Sequence, residues 1–309
     1  MSSLIRPFIY IGIIFLAFGL KKAGVFGERD YRVASLMFSN VTLPANIIHV
    51  FVGFSPTNQL YWLVVIGFAF GLVPTFIMYA INHKHNVKSR AYLMINASGT
   101  NVGGYVLPIV QLFFGTTGAV YTSMFDLGNA IVMSGASYST TAALLHLDGD
   151  NRKSKRVAFI NFCKRLFSSV TLDVYVIMLI LLLVGVNMPE IVGTITEPFA
   201  NANGFVSMFM LGLMFKIEVK DKEKVRDVIQ VLVFRVVFGV CIGLLCLHFL
   251  PFDEEIRKVV ALCMCGPVGS MASIFTEKTG TDPSLSSFAN SISCVISFII
   301  MMVYVYAVF

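Results

Sequence analysis

Asn96-Ala97-Ser98-Gly99-Thr100-Asn101-Val102-Gly103-Gly104-Tyr105-Val106-Leu107-Pro108 is the stretch on which the fold turns. It lies within an apolar run, residues 91–115. Such a run is long enough to cross a bilayer core as a helix, which takes about 20 residues. Yet it carries four polar side chains, a Gly-Gly pair and a proline. Proline removes a backbone donor and clashes with the preceding turn. In lipid the freed carbonyls must find partners in protein or water. The run therefore reads as a membrane helix interrupted at its Gly/Pro set, 103–108. A second run, residues 259–276, has a similar interruption, Gly266-Pro267-Val268-Gly269.

Composition agrees with this reading. The 309 residues are 57% apolar and 13% charged, against roughly 45–50% and 25% for soluble domains. There is too little polar sequence to cover one soluble globule, and the same composition excludes disorder and collagen. A polytopic membrane protein remains. Ten apolar segments are legible: residues 7–26, 33–54, 60–82, 91–115, 119–146, 166–188, 191–215, 228–250, 259–276 and 283–309. Lys21 and Lys22 interrupt the first. The runs are continuously apolar and do not alternate, which argues against a β-barrel. The first segment lacks a small-residue cleavage site before Lys21, so it reads as a span and not a signal peptide. No C-x-x-C occurs among the six cysteines, which read as free thiols used as small apolar residues.

The loops orient the segments. Nineteen of the 23 Lys and Arg residues fall in alternate connections, those after the first, third, fifth, seventh and ninth segments. Arg6, Arg257 and Lys258 are on the opposite side, and Arg235 lies within the eighth segment. Positive loops mark the cytoplasm, so both termini are expected outside. The basic excess is topological and implies no nucleic-acid partner. The longest connection, 147–165, divides the chain into a five-helix repeat 1–146 and a second one, 166–309. Five is odd, so the second half sits inverted, the plan of many secondary transporters. The two interrupted segments, fourth and ninth, then correspond. Each is followed by a Thr-Gly phrase, Thr117-Gly118 and Thr279-Gly280, and by a Phe, Phe125 and Phe288.

Several side chains stand out against this background. Discontinuous helices present N–H ends that attract anions and carbonyl ends that attract cations. Asn101 is placed beside the first break, where an amide suits a carboxylate or an ion shell; the alternative is an interhelical hydrogen bond. Asp126 lies well inside the fifth segment, with Asn129 one turn on, on the same face. An ionisable group there is a candidate to carry a coupling proton or to ligate a cation; the alternative is a structural partner for a basic residue. Arg235 has three readings: snorkelling to the cytoplasmic surface, pairing with Asp126, or meeting an anionic substrate. Asp173 and Glu197 are weaker candidates. His146-Leu147-Asp148-Gly149-Asp150 has metal-compatible side chains but reads as a solvated turn. There is no Walker A, H-E-x-x-H or G-x-S-x-G motif, and no cofactor is implied.

Together these residues resemble the auxin efflux carrier family, plant PIN carriers and bacterial carboxylate carriers included, over nearly the whole chain. The resemblance rests on Leu43-Pro44-Ala45, on Asn101 through Pro108 followed by Phe114-Gly115, and on Phe125-Asp126-Leu127-Gly128-Asn129. It rests also on Met208-Phe209-Met210-Leu211-Gly212-Leu213, on Pro267 and on Phe275-Thr276-Glu277-Lys278. The family's glycine two before the helix-4 proline is Val106 here, and a second helix-9 proline of plant members is Ala272. The resemblance implies ten helices with crossed, broken helices 4 and 9. It implies a scaffold of helices 1, 2, 6 and 7, a mobile domain of helices 3–5 and 8–10, and a homodimer in the cell membrane. It also implies a small organic anion as substrate, such as malate, malonate or an auxin-like acid, moved by alternating access with a coupling proton, a sodium ion or the membrane potential alone. By carry-over, Asn101 faces substrate, with Gly103, Gly104, Pro108, Gly266, Pro267 and Asn129 around it. A non-transporting membrane sensor that keeps the carrier fold is the alternative. No nucleophile–base or metal set suggests an enzyme.

Overall fold

The computed structural model describes residues 2–54, 56–147, 160, 169–216 and 225–309. The linker 147–165 and the acidic part of the His146–Asp150 turn lie almost wholly outside the described residues. The fold is all-helical. Among the described residues its β interaction is one isolated antiparallel bridge, Thr100 to Val268.

The elements are α1 (Ser2–Lys22), α2 (Tyr31–Met37), α3 (Leu43–Phe51), α4 (Asn58–Ile81), α5 (Val87–Ala97), α6 (Leu107–Ile131) and α7 (Ser137–Leu145). They continue with α8 (Val170–Val184), α9 (Glu190–Met214), α10 (Val225–Phe249), α11 (Glu254–Met264), α12 (Ala272–Lys278) and α13 (Pro283–Val303). Wider π turns join several of them, at Phe38–Thr42, Val102–Val106, Val132–Ala136 and Tyr304–Val308. Among the described residues, five helical stretches are long and apolar enough to cross a membrane: Tyr31–Phe51, Asn58–Ile81, Val102–Leu145, Val225–Phe249 and Pro283–Val308. Large apolar side chains cover their outer faces, among them Trp62, Val237 and Ile299, each more than half exposed. Such a surface is covered by lipid.

Val102–Leu145 has 44 residues. At 1.5 Å per residue an unbroken rod would measure about 66 Å, twice the bilayer core. It is not one rod. Gly115 has φ 60° and ψ −151°, a backbone state open only to glycine. The fourth and fifth apolar segments meet there, without an intervening loop.

Lys21 and Lys22 do not interrupt the first helix, as the sequence suggested; they form its last turn. Cations are favoured at a helix C-terminus. Lys21 Nζ also donates to the carbonyls of Leu213 and Phe215 at the end of α9, at 3.0 and 3.2 Å, and pairs with Glu28 at 3.4 Å.

The helices pack in two sets. In the first, α9 lies against α1, α2 and α3, and α3 against α8. In the second, α4 lies along α6 and α5, and α10 and α11 close over α5 and α6. The α4–α6 pair is held close by glycine. A Cβ on Gly67 would strike the Phe125 carbonyl, and one on Gly128 the Val64 carbonyl. Such small residues let helix backbones meet in a membrane.

Candidate functional site

The two interrupted helices meet at their gaps. α5 starts from Asn86, whose side chain accepts the Ser89 N–H at 2.9 Å, an N-cap. It stops at Ala97, because Ser98 is extended (φ −84°, ψ 156°) and Gly99 has φ +57°. Helix resumes at Val102. α11 stops at Met264, and helix resumes at Ala272. The second gap holds Gly266 and Pro267, as the sequence suggested. The first does not hold Gly103, Gly104 or Pro108. It lies upstream, at Ser98–Asn101, and those three residues are already helical. The physical reason is local. Pro108 directly follows the wider π turn Val102–Val106, so the helical run passes through it without a break. The two glycines provide room: a Cβ on Gly103 would meet Asp126 Oδ2, and one on Gly104 would meet Asn101 Oδ1.

Gaps in buried helices leave backbone groups that need partners, and here they are supplied one by one. Gly99 N–H donates to the Gly71 carbonyl, and Asn101 N–H to the Pro267 carbonyl, both at 3.0 Å. Val268 N–H donates to Ser293 Oγ at 3.0 Å. Thr100 N–H donates to Asn129 Oδ1 at 2.9 Å, and Asn129 Nδ2 returns a bond to the Thr100 carbonyl at 2.8 Å. Asn129 thus pairs with Thr100 as a neighbouring strand would.

Asp126 is buried beneath the first gap. It accepts from Tyr175 Oη at 2.9 Å and from Asn129 Nδ2 at 3.0 Å. Two donors point at this carboxylate, and it lies against Gly103 at the start of the resumed helix, where negative charge is favoured. This arrangement suits an anion cap. It does not suit metal ligation, since a metal ion there would face N–H and O–H groups.

Arg235 is not the partner of Asp126, and it does not snorkel. Its Nη1 donates to the carbonyls of Asn96, Ala97 and Gly99 at 3.2, 3.0 and 2.9 Å. Its Nη2 donates to Gly266 and Pro267, both at 3.0 Å. Two helix C-termini meet at this point, and their carbonyls receive the guanidinium.

The candidate residues thus form one cluster, with Asn101, Gly266, Pro267 and Arg235 at the crossing and Gly103, Gly104, Asp126 and Asn129 supporting its first gap. The sequence did not single out Tyr175, Ser293, Thr100 as backbone, or Asn203. Asn203 carried a signal, an amide amid apolar residues of the seventh segment. It is 1% exposed and accepts from Thr42 Oγ1 at 3.2 Å.

Among the described residues, two buried amide nitrogens lack any hydrogen-bond partner, Asn101 Nδ2 and Asn203 Nδ2. Asn203 sits on α9 in the first helix set and Asn101 at the gap in the second. The Val102–Val106 turn after Asn101 packs on α9. Asp173 is half-buried in the first turn of α8, and Glu197 is exposed. The described cysteines are free thiols.

A cavity of about 600 Å³ opens at the far end of α5. It is lined by His85, Lys88, Arg226 and Asp227, with Thr281 and Tyr92. Compared with models of known protein families and with characterised protein sequences, the chain matches none.

Proposed function

We propose that this chain is a secondary transporter of a small organic anion, working by alternating access about the crossing of the two interrupted helices. It has ten spans in a five-plus-five inverted repeat. Spans four and nine are α5 with Val102–Phe114, and α11 with α12. The substrate is a carboxylate such as malate, malonate or an auxin-like acid. The carrier lies in the cell membrane with both termini extracytoplasmic and works as a homodimer.

One observation carries this reading. Asn101 Nδ2 is a buried donor with no partner, set beside a gap between two helices. Buried polar groups are nearly always paired, so an unpaired one at such a place calls for an acceptor from a ligand. A carboxylate is such an acceptor. Lys88 and Arg226 at the 600 Å³ cavity favour an anion at that end.

The test is flux. Purified protein in liposomes should exchange a labelled dicarboxylate, and Asn101→Ala should lose roughly tenfold or more in apparent affinity. That is the scale of a hydrogen bond to a charged group, about 1.5–3 kcal/mol. Failure of the native protein to move any of a panel of carboxylates rejects transport. Normal binding by a folded Asn101→Ala rejects the role of the amide.

A further inference from the structure

Unwound carbonyls and half-helix C-termini are the groups that coordinate a coupling cation in discontinuous membrane helices. Here two such C-termini converge, at Ala97 and at Met264. Each carries partial negative charge. The five carbonyl oxygens that gather there all lie 2.9–3.2 Å from one guanidinium. Those five contacts, three on Nη1 and two on Nη2, involve no carboxylate. Asp126, the counter-charge that the sequence suggested, is engaged with Tyr175 and Asn129.

We propose that Arg235 is a built-in cation, holding the place that a coupling metal ion would take at the crossing, so that the carrier needs no sodium. The flux part rests on the transport reading above; the binding part does not. The guanidinium is suited to this place. Its charge is delocalised and weakly hydrated, and its donors form a rigid fork. One nitrogen serves the first gap and the other serves the second, so the side chain also ties the two gaps into one body. Small cavities flank it. One, of about 10 Å³, lies against Phe70, Gly99 and Met264; another, of about 20 Å³, lies against Ser293 and Ser297. Truncating Arg235 would merge this space into a hole lined by carbonyls, with room for a free cation.

The experiment follows thermal unfolding of the full-length purified protein in sodium chloride and in choline chloride at equal ionic strength. The native protein should show the same midpoint in both. Arg235→Ala should melt lower, and sodium or methylguanidinium, but not choline, should raise its midpoint. Stabilisation of the native protein by sodium overturns the proposal. So does an Arg235→Ala midpoint that neither cation raises. Should Arg235→Ala fail to fold, Arg235→Lys decides. It keeps a tethered charge, so it should fold and ignore sodium; a Lys variant that fails like Ala overturns the proposal. In liposomes, sodium-dependent exchange also overturns it. Absence of all exchange, with melting insensitive to sodium in the native protein and rescued in the variant, is a failure of the transport reading while the built-in cation stands.

Discussion

Asn129 meets both backbone polar groups of Thr100 with one side chain, 29 residues away in sequence. Thr100 is 3% exposed, so water cannot replace that amide. Asn129→Ala should leave the Thr100 N–H unpaired, at about 1–3 kcal/mol, and take one donor from Asp126; the Thr100 carbonyl keeps the Val102 N–H at 3.0 Å. A fall in melting temperature of the purified protein is the expected outcome; an unchanged melt would show that the gap does not depend on this amide. Tyr175→Phe removes one of two side-chain donors from Asp126 and keeps the ring. Stability should fall by about 1.5–3 kcal/mol, the scale for a hydrogen bond to a charged group. The same melting assay checks it. Asp126 and Asn129 were legible as a pair, because a carboxylate and an amide one helical turn apart in an apolar segment attract notice. Their partners were not. Tyr175 lies in another segment, and nothing in an isolated sequence shows which backbone group an amide will meet. Arg235 is the strongest case. Its charge was visible, but the carbonyls that receive it exist only once two helices have broken at one place.

At the scale of elements, apolar length placed 33–54, 60–82, 228–250 and 283–309 to within a few residues of Tyr31–Phe51, Asn58–Ile81, Val225–Phe249 and Pro283–Val308, because a bilayer fixes that length. The first gap was displaced towards Gly103 and Pro108, since proline is the usual breaker of a helix interior. The structure carries the helix through Pro108 behind a π turn, and the break is set by Ser98 and Gly99. Gly99 decides the break by conformation. Its φ is +57°, and a Cβ there would also strike Met133 Sδ. Gly99→Ala should therefore destabilise twice, by about 1–2 kcal/mol for the backbone and by a further 1–3 kcal/mol for overpacking. A folded Gly99→Ala with the native melting temperature would mean that the gap can re-form elsewhere. Gly103→Ala separates the two effects. Its backbone is helical, so only the clash with Asp126 remains, and it should lose less.

The molecule as a whole has two ends, and the structure sorts the loops between them. Lys88, Arg226 and Thr281 line one cavity, so the connections before α5, before α10 and before α13 lie at one end. At another place Gln59 Oε1 accepts the Asp253 N–H at 2.9 Å, which joins the connections before α4 and before α11. Lys258 stands over the Phe309 ring at 5.6 Å, which brings the C-terminus to this second end. The three connections at the first end belong to the basic set of the sequence; the second end holds Arg257 and Lys258, its sparse counterpart. Basic loops stay in the cytoplasm during insertion. On the proposed topology the C-terminus is expected outside. Alkaline phosphatase fused after Phe309, which folds only in an oxidising compartment, should be active, and a green fluorescent protein that matures only in the cytoplasm should be dark at the same position. The reverse pair of signals would sink both the orientation and the ten-span count. An odd number of spans would put the termini on opposite sides, and the grouping of loops around Lys88 and Arg226 would then have no common face to explain it.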